Sequence, residues 1–327
     1  MSRVLVTGGA GFIGSALCRH LARSHEVVVV DDLSSGRKEN IDGVDLEFQH
    51  GSILDRALID EIMANVEVVF HLACRGVRHS IHQPHANHEV NATGTLNLLE
   101  AARRAGTRRF VYTSSSEVYG TAIDSPMAED HPTYPHTVYG GAKLAGEAYT
   151  RAYHRTYGLE TIVIRPFNSF GPRSHHEGDS GEVIPKFMVR ALNGLPPIIF
   201  GDGEQTRDFT YVDDIAAGIA LAAGRDSLVG RTINLGSGTE ISINELAHIV
   251  LDAVGRTDLT PVYDAPRPGD VLRLVADSTL AQTTLEWRPA TSVAAGIGLT
   301  LDWHAQQGTD WQLALSQDIV HNWKPGS

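Results

Sequence analysis

The sequence has 327 residues, of which 42% are hydrophobic and 20% are charged, a composition typical of globular proteins. Its formal net charge of −12 at pH 7 argues against nucleic acid or an anionic membrane surface as a partner. The chain starts without a charged leader and an apolar run, and no apolar stretch approaches the ~20 residues that span a bilayer. We therefore expect a cytoplasmic protein. Cys18 and Cys74 lack metal-ligand spacing, so we expect both to be reduced packing residues.

Residues 4–14 read VLVTGGAGFIG, a short buried strand followed by glycines at positions 8, 11 and 14. Helical spacing follows over residues 15–22, and a second strand over residues 26–30 ends at Asp31 and Asp32. This order is typical of a dinucleotide-binding loop, in which the helix N-terminus receives the pyrophosphate. A carboxylate after the second strand accepts hydrogen bonds from the ribose hydroxyls and repels a 2′-phosphate. The pattern therefore predicts NAD rather than NADP.

Strands and helices alternate through the first half of the chain. The patterns predict further strands over residues 66–72, 108–114 and 160–165, and helices over residues 91–105 and 137–157. Such alternation predicts an α/β fold with a doubly wound parallel sheet, the Rossmann architecture. Ligands bind such sheets at the carboxyl ends of the strands, so we expect Asp31 and residues 74–80, 114–119 and 165–168 to meet at one crevice. Histidines at positions 79, 82, 85 and 88 suggest a polar loop and helix start, with no metal site.

The character of the sequence changes after residue 166. A polar loop over residues 171–182 precedes predicted helices over residues 183–193, 213–223 and 242–254. Residues 231–235 are predicted to form a strand that returns to the main sheet. We therefore predict a cofactor-binding domain over residues 1–166. Residues 167–327 form a smaller C-terminal α/β lobe that binds the substrate, with segments such as 231–236 returning to the main sheet.

Tyr139 and Lys143 lie one helical turn apart, so their side chains share a face. A tyrosine has an ordinary pKa of about 10, and a neighbouring ammonium stabilises its phenolate and lowers that value. Ser115 belongs to a hydroxyl-rich run that ends the strand over residues 108–114. These residues predict a hydride-transfer site in which Tyr139 takes a proton from a substrate hydroxyl.

Together these features resemble the extended short-chain dehydrogenase/reductases, in particular the NAD-dependent nucleotide-sugar epimerases and dehydratases of the UDP-glucose 4-epimerase type. The resemblance covers most of the chain. It rests on the following segments: TGGAGFIG at residues 7–14, DDLSSG at 31–36, HLA at 71–73, NATGT at 91–95, VYG at 118–120, RPFN at 165–168, GPR at 171–173 and RDFTYVDD at 207–214, with Ser115, Tyr139 and Lys143.

The resemblance implies tightly held NAD, a UDP-, dTDP- or GDP-linked sugar, and transient oxidation at sugar C4. It implies that the residues that bind the cofactor are Gly8, Gly11, Phe12, Ile13, Gly14, Asp31, Asp32, Ser52, Ile53, Leu72, Ala73, Asn91, Tyr139 and Lys143. The residues implied for the nucleotide sugar are Ser116, Asn168, Arg207, Arg267 and Asp270, the last two within Arg267-Pro268-Gly269-Asp270. It also implies a homodimer built on the helices over residues 91–105 and 137–157.

Glu117 leaves the reaction open. UDP-glucose 4-epimerases usually have small or apolar residues where this chain has Ser116 and Glu117, whereas 4,6-dehydratases have an Asp-Glu pair and UDP-glucuronate decarboxylases a similar Ser-Glu. A carboxylate beside a 4-keto sugar can remove the C5 proton, which leads to dehydration or to C5 (3,5-) epimerisation. Alternatively, Glu117 only binds a sugar hydroxyl. We predict an NAD-dependent 4-epimerase, with dehydratase, C5 epimerase or decarboxylase as alternatives. A non-catalytic NAD-sensing protein is the hypothesis from another class.

Overall fold

The computed structural model describes residues 1–267 and 270–321, except for the side chain of Asp179. The strands in this part of the chain are β1 Arg3–Thr7, β2 Glu26–Asp31, β3 Glu47–His50, β4 Val68–His71, β5 Arg109–Thr113, β6 Glu160–Pro166, β7 Asn168–Phe170, β8 Ile198–Phe200, β9 Thr206–Arg207, β10 Phe209–Tyr211, β11 Thr232–Leu235, β12 Ile241–Ser242, β13 Val262–Asp264 and β14 Arg273–Leu274.

The helices are α1 Phe12–Leu21, α2 Arg56–Ile62, α3 Val77–His82, α4 Pro84–His88, α5 Gly94–Ala105, α6 Val138–Tyr157, α7 Val183–Leu192, α8 Val212–Ala223, α9 Ile243–Ala253, α10 Thr279–Leu285, α11 Val293–Gln306 and α12 Trp311–Ser316. A π-helical turn over Glu89–Thr93 joins α4 to α5.

A parallel sheet forms the centre of the molecule. In the described residues it has seven strands in the order β11-β6-β5-β4-β1-β2-β3. Strands β1, β2 and β5 are almost entirely buried because helices cover both faces of the sheet. One apolar cluster packs α1 and α8 on one face, and another packs α2, α5 and Tyr153 of α6 on the other. The predicted doubly wound parallel sheet is confirmed.

Several local elements differ from the sequence prediction. The prediction missed β3 and α2. Strand β3 is a short edge strand in which every residue except Phe48 is polar and none is fully buried. The predicted polar loop around the four histidines consists mainly of the helices α3 and α4, which break at Gln83 before Pro84. The helix predicted over residues 91–105 becomes regular only at Gly94, after the π-helical turn. Helix α6 begins as expected, with the Thr137 hydroxyl accepting a hydrogen bond from Gly140 N.

The second half of the chain contributes to the main sheet and also forms small sheets outside it. Strand β11 pairs with β6 in the main sheet, and α8 packs on α1. The remaining strands form small sheets, β10-β7, β12-β9-β14 and β13-β8, around an apolar cluster that includes Phe187 and Leu246. The proposed division at residue 166 remains a prediction. Among residues 1–267 and 270–321, no helix is both long and apolar enough to cross a membrane, and no group of three acidic, histidine or cysteine side chains could hold a metal ion.

Candidate active site

A cavity of about 540 Å³ lies at the carboxyl ends of the central strands and extends beneath the second half of the chain. It collects nearly all of the residues predicted from the sequence. Those on its wall are Gly8, Gly11, Phe12, Ile13, Gly14, Asp31, Asp32, Ser52, Ile53, Leu72, Ala73, Ser115, Ser116, Glu117, Tyr139, Lys143, Asn168, Arg207, Arg267 and Asp270. The expected convergence of loops on one crevice is therefore present in the structure.

The glycine loop has no room for a side chain at Gly8 or Gly14. Gly8 has φ +73°, a left-handed conformation, and a Cβ there would lie 2.7 Å from the Cα of Ala73. A Cβ on Gly14 would lie 2.0 Å from the carbonyl oxygen of Gly8, so glycine is needed for α1 to approach the loop. Gly11 precedes helix α1 and provides no side-chain cap, and the first residues of the helix line the cavity. The uncapped, positive end of this helix fits the pyrophosphate of a dinucleotide.

Asp31 and Asp32 lie on the same wall but have different surroundings. The Asp31 carboxylate accepts hydrogen bonds from Ala10 N and Leu33 N, each at 2.9 Å, and so joins the glycine loop to the end of β2. Burial raises the Asp31 pKa, against the effect of these two hydrogen bonds. Asp32 accepts from Ser34 N and forms an ion pair with Arg75 at 3.4 Å. A carboxylate oxygen has two lone pairs, so both residues can still accept from ribose hydroxyls.

Asn91 is the one predicted site residue that is not on the cavity wall, and its contact with the cofactor remains a prediction. Its side chain is buried, with Oδ1 accepting from Arg75 N at 2.9 Å and Nδ2 donating to Arg75 O and to Asn87 Oδ1. Asn91 therefore fixes the loop after β4, which does line the cavity. The distinction between facing a ligand and holding the loop that faces it depends on tertiary structure.

Tyr139, Lys143 and Ser115 meet in the middle of the cavity. Helix α6 places Tyr139 and Lys143 on one face, and both side chains are buried. The Lys143 ammonium donates to the backbone carbonyl of Thr113 at 2.7 Å, at the end of β5. The Ser115 side chain caps the turn over Ser116–Val118 by accepting from Glu117 N, and it lies near enough to Tyr139 to lower the pKa of that phenol. This arrangement places a phenol and an alcohol where they can share one substrate oxygen.

The expected electrostatic effect on Tyr139 is not the dominant one. Burial raises the Tyr139 pKa well above its ordinary value, Cys74 and Glu117 raise it further, and the Ser115 hydroxyl lowers it. The sequence predicts a pKa lowered by nearby positive charge, whereas the burial of the ring, which raises the pKa, is a property of the fold. Additional positive charge in the cavity, such as an oxidised nicotinamide, would be needed to favour the phenolate.

Glu117 lies in the cavity wall next to Tyr139. Burial raises the pKa of its carboxyl group, Arg207, Arg78 and His136 lower it, and Asp270 raises it. A carboxyl group at this position could act as a C5 base or as a general acid. Ser116, which precedes it, is buried and also lines the cavity.

The opposite wall carries the arginines expected to bind a diphosphate. Arg207 forms a 2.6 Å ion pair with Asp270, and both line the cavity. The Arg267 guanidinium lies 5.3 Å from the centre of the Phe200 ring, and burial lowers its pKa to about 10. Asn168 Oδ1 is buried and has no hydrogen-bond partner among the described residues. Pro268 and Gly269, between Arg267 and Asp270, lie outside the described residues.

Four further residues line the cavity, and the sequence predicted no individual role in the site for any of them. Cys74 was expected to be an interior packing residue, but it is a free thiol on the cavity wall beside Tyr139. Arg78, Glu182 and Lys186 also line the cavity, and burial raises the Glu182 pKa to about 7. Cys74 and Arg78 follow β4 at the carboxyl edge of the sheet, and this position predicts contact with a ligand. Glu182 and Lys186, at the start of α7, have no such signal in the sequence.

Comparison with known proteins places this site in a family. The family model "NAD dependent epimerase/dehydratase family" matches residues 4–236. A UDP-glucose 4-epimerase from Mycolicibacterium smegmatis is 42% identical over 308 residues, which cover 92% of this chain and 97% of the relative.

Solved structures give the same result. One is a UDP-glucose 4-epimerase from Thermotoga maritima with UDP-glucose, at a TM-score of 0.89 and 35% identity, covering 94% of this chain and 100% of that one. Another is the dTDP-glucose 4,6-dehydratase DesIV from Streptomyces venezuelae with NAD bound, at 0.88 and 34%, covering 93% and 97%. The chain therefore belongs to the NAD-dependent epimerase/dehydratase family and is an enzyme whose cofactor is NAD.

Proposed function

We propose that the protein is an NAD-dependent nucleotide-sugar 4-epimerase that acts through a transient 4-keto sugar. One observation carries this proposal: Tyr139, Ser115 and Lys143 open onto the same cavity as the glycine loop and Asp31. The names of the relatives support it, since the Mycolicibacterium smegmatis and Thermotoga maritima proteins are UDP-glucose 4-epimerases.

In this mechanism, the residues of the chain position the sugar and move its proton. Ser115 and Tyr139 hydrogen-bond the sugar O4, and Tyr139 takes the O4 proton and later returns it. Bound NAD supplies a hydride acceptor for sugar C4. Lys143, held by the Thr113 carbonyl, contributes a fixed positive charge beneath the cofactor site. These residues would provide the general acid–base part of catalysis.

The remaining cavity residues would bind the rest of the ligands. We propose that the α1 N-terminus and the aspartates after β2 hold NAD, and that Arg207, Arg267 and Asn168 hold the sugar nucleotide's diphosphate. The relatives bind UDP- or dTDP-linked sugars, and we propose one of these or a GDP-linked sugar here. We also propose a cytoplasmic homodimer joined through α5 and α6, which pack side by side.

The carboxylate of Asp31 should select NAD over NADP. We expect apoprotein to bind NADP at least about tenfold more weakly than NAD, because a 2′-phosphate would face this carboxylate. In Asp31→Asn the preference should shrink, since the amide removes the charge but retains an acceptor. Calorimetric titration of the apoproteins with both cofactors measures this. Equal affinity of the wild-type apoprotein for the two cofactors would rule out this role of Asp31.

A second candidate function is favoured by Glu117. Its carboxyl group lies in the cavity beside Tyr139, where it could remove the C5 proton of a 4-keto sugar. The dehydratase DesIV among the neighbours supports this alternative. A dehydratase, a decarboxylase or a C5 epimerase would then use the same cofactor, Tyr139 and Lys143. The reactions differ at C5 and C6.

Turnover in D₂O distinguishes these reactions. For the proposed 4-epimerase we expect no deuterium in the sugar product, because the C5–H bond never breaks, and less than a roughly tenfold loss of kcat in Glu117→Gln. A panel of UDP-, dTDP- and GDP-sugars is incubated with the enzyme, and products are identified by mass and NMR. Deuterium at C5 that disappears in Glu117→Gln would instead establish C5 chemistry. A product lighter by one water would then identify a dehydratase, and loss of CO₂ a decarboxylase.

A further inference from the structure

The ammonium group of Lys143 is buried, which is unfavourable for a charged group. Lys143 is 2% exposed, and burial lowers its pKa, whereas Cys74 and Glu147 raise it. Other titratable groups also face it. These are His71 on β4, Tyr112 on β5, whose ring centre is 4.9 Å from Nζ, and Tyr139 on its own helix. None of these three is an anion at neutral pH in this environment, so an ammonium at this position requires a carboxylate nearby.

Glu147 is a carboxylate one helical turn beyond Lys143 on α6. Its side chain is completely buried. Oε1 accepts from Arg165 Nε at 2.8 Å, and Oε2 accepts from Arg165 Nη2 at 2.8 Å and from Arg151 Nη2 at 2.6 Å. Burial raises the Glu147 pKa, but the hydrogen bonds and charge of Arg165 and the charge of Arg151 hold it below its ordinary value. Glu147 therefore remains ionised beneath the catalytic pair.

Arg165 keeps this carboxylate in place. It extends from β6, and its third contact is a hydrogen bond from Nη1 to the backbone carbonyl of Glu129 at 3.0 Å. Its guanidinium also lies 4.5 Å from the centre of the Tyr119 ring. Because the Arg165–Glu147 pair is bidentate and buried, the carboxylate has a fixed position relative to β5, β6 and α6. The negative charge near Lys143 is therefore preorganised before any ligand binds.

We propose that Glu147 is a positioning residue for the reaction: it holds Lys143 as an ammonium against the Thr113 carbonyl, at the height of Tyr139. This inference rests on the proposed function of the Tyr139 site. The competing explanation is that Glu147 only attaches α6 to β6 through Arg165. The two explanations differ in their effect on the pH dependence of the reaction.

The test compares pH profiles of kcat for the wild-type holoenzyme and Glu147→Gln. Removing the negative charge lowers the Lys143 pKa, and a cation with a lowered pKa loses its proton as the pH rises through that lower value. We therefore expect the alkaline limb to move down by at least about one pH unit, and a shift of one unit lowers the ratio of kcat at pH 9 to kcat at pH 7 by up to about tenfold. Glu147→Asp keeps the charge at a greater distance, so its limb should lie between the two.

A matched control separates charge from attachment. Glu160→Gln removes the ion pair with the buried Arg109 at the first residue of β6, away from the cavity, and should leave the alkaline limb unchanged. A lower melting temperature of Glu147→Gln with an unmoved limb would overturn the inference. If Glu147→Gln does not fold, Glu147→Asp decides, and a limb at the wild-type position would overturn it.

Failure of the proposed function is distinguishable from failure of this inference. If the wild-type enzyme converts no nucleotide sugar, the proposed function fails. The same variants are then compared by calorimetric titration of apoprotein with NAD from pH 7 to pH 10, because Lys143 lines the cofactor cavity. NAD affinity that declines at lower pH in Glu147→Gln than in wild type supports the positioning role. Coincident profiles reject it.

Discussion

Tyr139→Phe is expected to lower kcat by ~10²–10⁴-fold, the range typical for loss of a general acid–base group. The substitution removes the hydroxyl that exchanges the O4 proton and leaves the ring that packs in the cavity wall. The fold and the NAD content should therefore be retained. Steady-state kinetics on an accepted nucleotide sugar, with circular dichroism and the absorbance of released cofactor, measure the three properties together.

The matched control is Tyr134→Phe, which removes the same atom from a side chain that is 65% exposed and outside the cavity. This variant should have wild-type activity. Wild-type turnover in a folded Tyr139→Phe enzyme would exclude Tyr139 from the mechanism. An equal loss in the two variants would point to a general effect on folding or handling of the protein.

Gly14→Ala should have the largest effect on the protein itself. The added methyl group would lie 2.0 Å from the Gly8 carbonyl oxygen and 2.9 Å from the Gly9 Cα, both backbone atoms that cannot rotate away. Helix α1 would have to move away from the loop, which costs at least about 3 kcal/mol of unfolding free energy and disrupts the expected pyrophosphate site. Denaturant unfolding and the NAD content of the purified variant measure these losses.

Gly141→Ala provides the comparison, because a Cβ at that position meets no atom within 4 Å. Gly141 lies inside α6, where alanine favours the helix by up to about 1 kcal/mol, so this variant should be as stable as the wild type or more so. If Gly14→Ala unfolds at the wild-type denaturant concentration and keeps its NAD, the close approach of α1 to the loop is not needed.

The parts of the fold that could be predicted are those in which local sequence and tertiary role coincide. The glycine loop is one, since the glycines, the buried strand before them and the helix after them are adjacent in the chain. The parallel sheet is another, because its central strands are rich in apolar residues. Strand β3 has no such pattern: three of its four residues over Glu47–His50 are polar and it lies at the sheet edge, so only its pairing with β2 makes it a strand.

In the candidate site, too, some features follow from local sequence and others depend on tertiary packing. Tyr139 and Lys143 were predicted from their helical spacing, which is a local property. The inward-facing position of Cys74 and the contact of Asn91 with the Arg75 backbone depend on which elements pack together. The raised pKa of Tyr139 is also a consequence of burial, which spacing does not reveal. Sequence therefore predicted the candidate reacting groups, and packing determined their environment.

Strand β11 has a consequence for how the polypeptide could be divided. It comes from the second half of the chain but forms the outer neighbour of β6, and α8, also from that half, covers part of the sheet. A fragment that ended at residue 166 would expose the unpaired backbone of β6 and the apolar side chains beneath α8. Such an edge recruits strands from other molecules, so the isolated fragment would aggregate. The two halves of this chain therefore depend on each other for folding.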